Sequence, residues 1–218
     1  MTTEFIYDAV VVGGGPAGAT AAQTLAQKGK QVLLLDKRGR IKPCGGAIPP
    51  RLIKDFQIPD ELLVAKAKSA RMVSPLGKAV DIPIENGFVG MVDRAQFDEW
   101  LRQRAVAAGA TREDGLFEFL KREGSNVRIY YRSRGARDGD QGALKSVLTK
   151  AVVGADGAKS QVGRSAGVAG CAEANYVFAY HEIIKTPTDK PLSFDATRCD
   201  VLYQKPVSPD FYGWVFPH

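Results

Sequence analysis

The hydrophobic residues near the start of the chain come in short unbroken runs. Ala9–Val12 (AVVV) is a β-branched run that enters a glycine turn, Ala17–Lys28 is compatible with a helix, and a second run, Gln31–Asp36 (QVLLLD), follows Gly29. Apolar runs without polar alternation belong to strands covered on both faces, so this order predicts a right-handed β-α-β unit with a parallel, buried strand pair. Gly29 is placed to end the helix.

Further along the pattern changes. Ile41–Pro59 is rich in Pro and Gly, which predicts an irregular connection lying over a surface or a ligand. Arg71–Ser74 and Lys78–Ile84 read as two strands around Pro75–Gly77, a shift to antiparallel material. Asp93 is a good N-cap for a helix over Arg94–Ala107, with Phe97, Leu101, Ala105 and Ala108 on one face and Gly109 as the stop. Strands are expected at Leu116–Arg122, Val127–Arg134 and Lys145–Val153, then GADG at Gly154–Gly157 and a short helix over Ser160–Ala166. Tyr176–His218 returns to a strand-like pattern rich in aromatics and prolines. The arginines of the central strands read as a solvated sheet face rather than a binding patch. The interleaving of the two kinds of element predicts one domain inserted into another.

Length and composition narrow the function classes only slightly. With 218 residues, 44% hydrophobic and 25% charged, the chain is that of a globular protein with a sizeable core. The net charge of +6 suits an acidic ligand, an anionic membrane or nucleic acid equally well. The three cysteines, Cys44, Cys171 and Cys199, are far apart and form no CxxC pair, and His181 and His218 have no strong ligand at metal-binding spacing, so neither a disulfide framework nor a metal is expected. The stretch Ala9–Gln27 has no charge, but Gly13, Gly14, Gly15, Pro16 and Gly18 break it, and no transmembrane helix is predicted. The start, MTTEFIYD, lacks the basic and apolar regions of a signal peptide.

The chemistry is concentrated in GGGPAG, where Gly13, Gly15 and Gly18 stand at GxGxxG spacing between a strand and a helix. The first glycine permits a tight turn, the second lets backbone N–H groups approach a pyrophosphate, and the third lets helix and strand pack closely. The phosphate charge then meets the helix N-terminus, with Ala17 in its first turn. Asp36, eighteen positions after Gly18, is placed to accept hydrogen bonds from an adenosine ribose. Lys37 and Arg38 could suit a 2′-phosphate, which Asp36 would repel. These residues predict a dinucleotide site without choosing between FAD and NAD.

GGGPAG followed by VVGADG resembles the glutathione-reductase-type FAD fold of the flavin hydroxylase superfamily. The resemblance implies that Asp156 and Gly157 return near the flavin and that Arg94, in VDRAQFDEWL, points toward the cofactor. On the residues alone, Asp156 could instead cap the following helix and Arg94 be a surface charge. Two further segments, KPCGGAIPPRL (Lys42–Leu52) and PDFYGWVFP (Pro209–Pro217), are similar to those of the geranylgeranyl reductases, the second fitting PxxYxWxFP. Together with RIKPCGGAIPPRLI and ENGFVGMVDRAQFD, the chain resembles most the branch acting in chlorophyll and bacteriochlorophyll synthesis, over essentially its whole length.

The fold so implied is α/β: a glutathione-reductase-type, FAD-binding, Rossmann-like domain interleaved with an antiparallel-sheet substrate domain. The FAD domain takes 1–70 and 93–170, and the substrate domain 71–92 and 171–218. The implied reaction is NADPH-driven, FAD-dependent reduction of the C=C bonds of a geranylgeranyl chain to phytyl, on the esterified pigment or on geranylgeranyl diphosphate. Tyr212, Trp214 and Phe216 alternate along one strand and would offer the prenyl chain a continuous apolar wall; ordinary core aromatics would show the same alternation. Cys44, between Pro43 and Gly45, is a candidate proton donor, since an ordinary thiol carries its proton at neutral pH, or a buried spacer. No second GxGxxG is present for NADPH. The family's later GD-containing segment does not occur before His218, so residues 1–218 are expected to be the N-terminal part of a longer reductase, inactive alone. The protein is expected in the cytoplasm, peripheral to the photosynthetic membrane, without nucleic-acid partners. A flavin monooxygenase of the aromatic hydroxylase type, a reductase of archaeal-type prenyl lipids, and a non-catalytic prenyl-binding escort module are the alternatives.

Overall fold

The computed structural model describes residues 4–37, 44–133, 142–171, 173–185 and 194–218. The elements are, in order, β1 (Ile6–Val12), α1 (Pro16–Gln27), β2 (Val32–Asp36), β3 (Ala47–Ile48), α2 (Pro50–Asp55), β4 (Leu63–Ala67), β5 (Ser69–Val73), β6 (Ala79–Pro83), β7 (Val89–Val92) and α3 (Arg94–Ala107). They continue with β8 (Thr111–Glu123), β9 (Asn126–Ser133), β10 (Leu144–Gly154), α4 (Gln161–Ser165), β11 (Arg198–Leu202) and β12 (Gly213–Val215). The chain divides into two compact units, one of Met1–Arg40 with Asp98–Tyr176, the other of Ile41–Phe97 with Val177–His218.

In the first unit β1 lies between two parallel neighbours, Ala9 being opposite Val32 of β2 and Ala151 of β10. β2 in turn runs parallel to the start of β8, Leu33 opposite Thr111. With 13 and 11 residues, β8 and β10 are long enough to leave this parallel layer and pair antiparallel with β9 as well, which closes a five-stranded ring. The ring explains why AVVV and VLLL show no polar alternation. Val10, Val12, Leu33 and Leu35 point into it, where they meet Phe117, Ile129, Tyr131 and Val162. Val11, Val32 and Leu34 point the other way and bury Ala22 and Ala26 of α1 and Ala105 of α3. Each fully buried aliphatic side chain contributes about 1.5–3 kcal/mol, so both faces of the parallel pair are driven inward.

The β-α-β reading therefore holds, as do the expected α3 and its stop. The Asp93 carboxylate accepts the Ala95 N–H at 2.7 Å, Phe97, Leu101 and Ala105 are buried, and Gly109 turns at φ +105°.

In the second unit β12-β11-β5-β6 form one sheet and β3-β7-β4 another. The sheet expected to be antiparallel contains one parallel pair, Arg198 of β11 opposite Ser69 of β5. No hairpin ties these strands, because the chain passes through the first unit between them, so their relative direction is unconstrained by a turn. The stretch expected to be irregular, 41–59, carries β3 and the short α2; its residues 41–43 are outside the described ones. Pro49 and Pro50, which suggested irregularity, serve as N-cap and first residue of α2. The first compact unit breaks after Arg40, so residues 41–70, expected with the first FAD segment, group with the second unit. The expected division at residue 170 lies instead after Tyr176. Residues 173–185 carry no strand, whereas β11 and β12 do fall in the strand-like C-terminal stretch.

Candidate functional site

The glycine turn is built from backbone contacts that exclude side chains. Gly13 turns at φ +105°, and a Cβ there would lie 2.4 Å from the Ala155 carbonyl oxygen. A Cβ on Gly18 would lie 1.8 Å from the Gly13 carbonyl oxygen, so α1 can approach β1 only with glycine at that position. At Gly15 a Cβ would meet nothing within 4 Å. The turn at Gly13 and the close packing at Gly18 are those expected from the spacing, and at Gly15 the Cβ side is open.

That open side is the N-terminus of α1. Gly15 is its N-cap and supplies no side-chain hydrogen bond, Pro16 starts the helix, Ala17 is exposed in the first turn, and no acidic residue occupies that turn. The first-turn amides and the positive end of the helix dipole are thus left for an anion such as a pyrophosphate.

Asp36 closes the turn at the end of β2, where the Gly14 N–H donates to its Oδ1 at 2.8 Å. Gly14 has to be glycine here too, since a Cβ would lie 2.6 Å from the Asp36 carboxylate. Arg102 of α3 donates from Nη1 to the Gly14 carbonyl oxygen at 3.1 Å and reaches Asp36 Oδ2 at 3.4 Å. Arg102 Nε donates to Glu99 Oε2 at 2.9 Å, and Arg112 grips both Glu99 oxygens at 2.7 and 3.1 Å. The Arg112 hydrogen bonds, with those of Arg102, hold the Glu99 carboxyl down to about 2. Neither Gly14 nor Arg102 is visible as a site residue in the sequence, because the contacts join positions 22 and 66 or more residues apart. Lys37 is exposed directly after Asp36, and Arg38 lies outside the described residues.

The GADG segment sits beside this turn through the Ala155 N–H, which donates to the Val12 carbonyl oxygen at 2.8 Å. The Asp156 carboxylate accepts the Ser160 hydroxyl at 2.6 Å and the N–H groups of Gln161 and Val162 at 2.6 and 3.1 Å. It therefore caps α4, the alternative that the residues left open beside a cofactor role. Gly157 turns at φ +91°.

The remaining candidates belong to the second unit. Arg94 is the first residue of α3, directly after the Asp93 cap. Cys44 is exposed and so is not a buried spacer. Its neighbour Gly45 packs against the aromatic strip: a Cβ there would lie 3.0 Å from both Phe216 Cδ2 and Trp214 Nε1. Trp214 and Phe216 thus share a side, and the Tyr212 ring meets Trp214 edge-on with centroids 6.1 Å apart. Phe216 also packs on the small core of Ala67, Met91 and Cys199, which makes it partly a core residue. Tyr212, Trp214 and Phe216 are each half-buried. Burial pushes the Cys199 thiol up to about 11, so it is not a reactive cysteine.

Comparison with known proteins agrees with the glycine turn. Residues 6–206 match the family described as FAD binding domain. The chain is similar to a geranylgeranyl diphosphate reductase of Rhodobacter capsulatus, at 58% identity over 97% of this chain and 52% of that protein. It is also similar to a digeranylgeranylglycerophospholipid reductase of Methanosarcina acetivorans, at 34% identity over 97% of this chain and 52% of that protein. Among solved structures, a geranylgeranyl bacteriochlorophyll reductase-like protein from Thermoplasma acidophilum matches with a TM-score of 0.75 and 26% identity, over 99% of this chain and 54% of that one. The chain spans about half the length of the curated relatives it matches.

Proposed function

The chain belongs to the FAD binding domain family, and we propose that it is the FAD-holding part of a reductase that saturates C=C bonds of a geranylgeranyl chain to give phytyl, with NADPH as the reductant. The observation that carries this reading is the packing of Gly45 against Trp214 and Phe216. It joins, within one unit, the CGGAIPP and YGWVFP segments on which the resemblance to geranylgeranyl reductases rests. The similarity to a geranylgeranyl diphosphate reductase across nearly the whole chain supports it.

The residues fit FAD, because Gly13 and Gly18 let the turn close tightly on the start of α1 while Gly15 leaves open space beside the helix N-terminus that a side chain would fill and that no acid or capping group occupies. Gly13, Gly15, Ala17 and Gly18 would hold the pyrophosphate and Asp36 the adenosine ribose. Arg94, Asp156 and Gly157 are assigned to the cofactor by the resemblance, and Lys37 by its place directly after Asp36. When bound, reduced FAD supplies a hydride to one alkene carbon. The chain's own tasks are then to orient the prenyl chain, exclude water and deliver a proton to the other carbon. Tyr212, Trp214 and Phe216 are assigned to the prenyl chain, and the exposed Cys44 is the candidate proton donor.

Full-length protein loaded with FAD is expected to convert geranylgeranylated pigment or geranylgeranyl diphosphate to the phytyl form with NADPH, read by mass spectrometry of the product. An unsaturated chain left intact, together with hydroxylation of an aromatic substrate, would replace the reductase with a flavin monooxygenase. The similarity to an archaeal phospholipid reductase favours a second reading, a reductase of prenyl lipids, which competition between pigment and lipid substrates separates. Since a pigment-linked prenyl chain is insoluble and no helix among the described residues is long and apolar enough to cross a membrane, the proposal places the enzyme at the surface of the photosynthetic membrane.

A further inference from the structure

The Gly14 peptide is gripped at both ends. Its N–H donates to Asp36 Oδ1 at 2.8 Å, while its carbonyl oxygen accepts from Arg102 Nη1 at 3.1 Å. The same Nη1 lies 3.4 Å from Asp36 Oδ2, a longer contact that leaves this oxygen with acceptor capacity. Oδ1 is committed to the backbone; Oδ2 is the oxygen available to a ligand hydroxyl.

Arg102 is itself held. Its Nε is fixed by Glu99 at 2.9 Å, and Glu99 is fixed by both terminal nitrogens of Arg112 at 2.7 and 3.1 Å. The bidentate Arg112 contact fixes the plane of the Glu99 carboxylate, which in turn anchors Arg102 at Nε. The side chains of Arg102 and Asp36 are only 17% and 15% exposed, so their interaction is less screened than that of a surface pair. A carboxylate free to rotate would spend entropy when a sugar hydroxyl arrives; this one is already set.

From this geometry we infer that Arg102 is a positioning residue for adenosine binding: braced by Glu99 and Arg112, it fixes the Asp36 carboxylate so that Oδ2 is presented to the ribose 2′-hydroxyl. The inference rests on the reading of Gly13–Gly18 and Asp36 as the cradle of a dinucleotide.

The test is a comparison of ADP with 2′-deoxy-ADP, which carries the adenosine half without the flavin, by calorimetry on the full-length protein freed of flavin. Wild type is expected to prefer ADP by about tenfold, the size of one hydrogen bond to a charged group. Asp36→Asn is expected to lose most of that preference. Arg102→Ala should reduce it to about twofold, and Arg102→Lys should restore part of it. Glu99→Gln, which loosens Arg102 without removing it, should give an intermediate preference and serves if Arg102→Ala does not fold. A purely structural Arg102 would lower the melting temperature, or weaken both nucleotides equally, with the tenfold preference intact in Arg102→Ala and Glu99→Gln; that result overturns the inference alone. Absence of any preference in wild type overturns the ribose role of Asp36 and the inference with it.

Discussion

At the scale of single residues, the three glycines of the turn can be separated by experiment, because they serve the fold unequally. Gly15 has φ −71° and ψ −178°, which any residue can adopt, and open space on its Cβ side. Gly15→Val should therefore fold, at a cost of about 1 kcal/mol for a poorer N-cap, yet lose FAD because its branches enter the pyrophosphate path. Gly18→Ala places a carbon 1.8 Å from the Gly13 oxygen and should destabilise the protein by ~3 kcal/mol or more. The flavin-to-protein absorbance ratio of purified full-length protein, beside its denaturation midpoint, reads both effects; FAD retained by Gly15→Val at wild-type affinity would refute the placement of the pyrophosphate. Glu99 gives a pH-dependent test of the brace behind Arg102. Its folded value of about 2 is below the ordinary carboxylate 4.5, so the unfolded chain binds the proton first as pH falls. The stabilisation is complete above about pH 4.5 and is lost on going down to pH 2. Because the side chain is 38% exposed, screening limits it to about 1 kcal/mol. Urea titrations of wild type and Glu99→Gln should differ by that amount at pH 6 and converge toward pH 2; a difference unchanged between these pH values would sink the assignment.

Elements were legible where one segment carried its own evidence. AVVV, GGGPAG and QVLLLD announced β1, α1 and β2 because burial on both faces removes polar alternation, and Asp93 and Gly109 marked the ends of α3 by capping chemistry alone. What the sequence concealed was long-range. β4 and β7 pair with each other, Ala67 opposite Val89, yet each is too short and too mixed in pattern to announce itself. The ring closure depends on β8 and β10 each having two kinds of neighbour, which no local periodicity encodes. The same holds for the site: the glycines and Asp36 were readable from spacing, whereas Arg102 comes from a helix face 66 positions away. Asp156 shows how one residue can carry two readings. Its carboxylate satisfies two orphan N–H groups of the five-residue α4, whose Val162 is buried in the core inside the ring. Asp156→Ala should thus lower the stability of the flavin-free protein by about 1–2 kcal/mol, seen as a lower denaturant midpoint at unchanged slope. Unchanged stability with FAD binding lost would make it a cofactor ligand and nothing more.

For the molecule as a whole, the net charge of +6 is less concentrated than the count of thirty basic residues suggests. On the ring of the first unit Arg128 is shared by Glu4 and Glu123, Arg132 pairs with Glu118, Lys145 with Glu113 and Lys150 with Asp8. In the second unit Arg51 pairs with Asp55 and Arg71 with Asp81. These matched charges cancel at a distance, so attraction to an anionic membrane in the proposed contact would depend on the surplus of six positive charges. Each unmatched Lys or Arg near a lipid surface is worth ~1 kcal/mol, an interaction that fades beyond a Debye length of about 10 Å at 0.1 M salt. In the proposed membrane contact the second unit would add an apolar contribution that salt does not screen, for Phe178, Tyr180 and Ile184 are 85%, 82% and 76% exposed. The two terms predict different responses. Full-length protein should bind vesicles containing anionic lipid at low salt and be largely released at about 0.5 M salt, where the Debye length is shorter than a side chain's reach. Replacing Phe178 and Ile184 with Ser should weaken whatever binding survives in high salt while leaving the salt-sensitive part in place. Sedimentation with vesicles of graded anionic content measures both, and binding indifferent to salt and to lipid charge would contradict the electrostatic part of membrane contact.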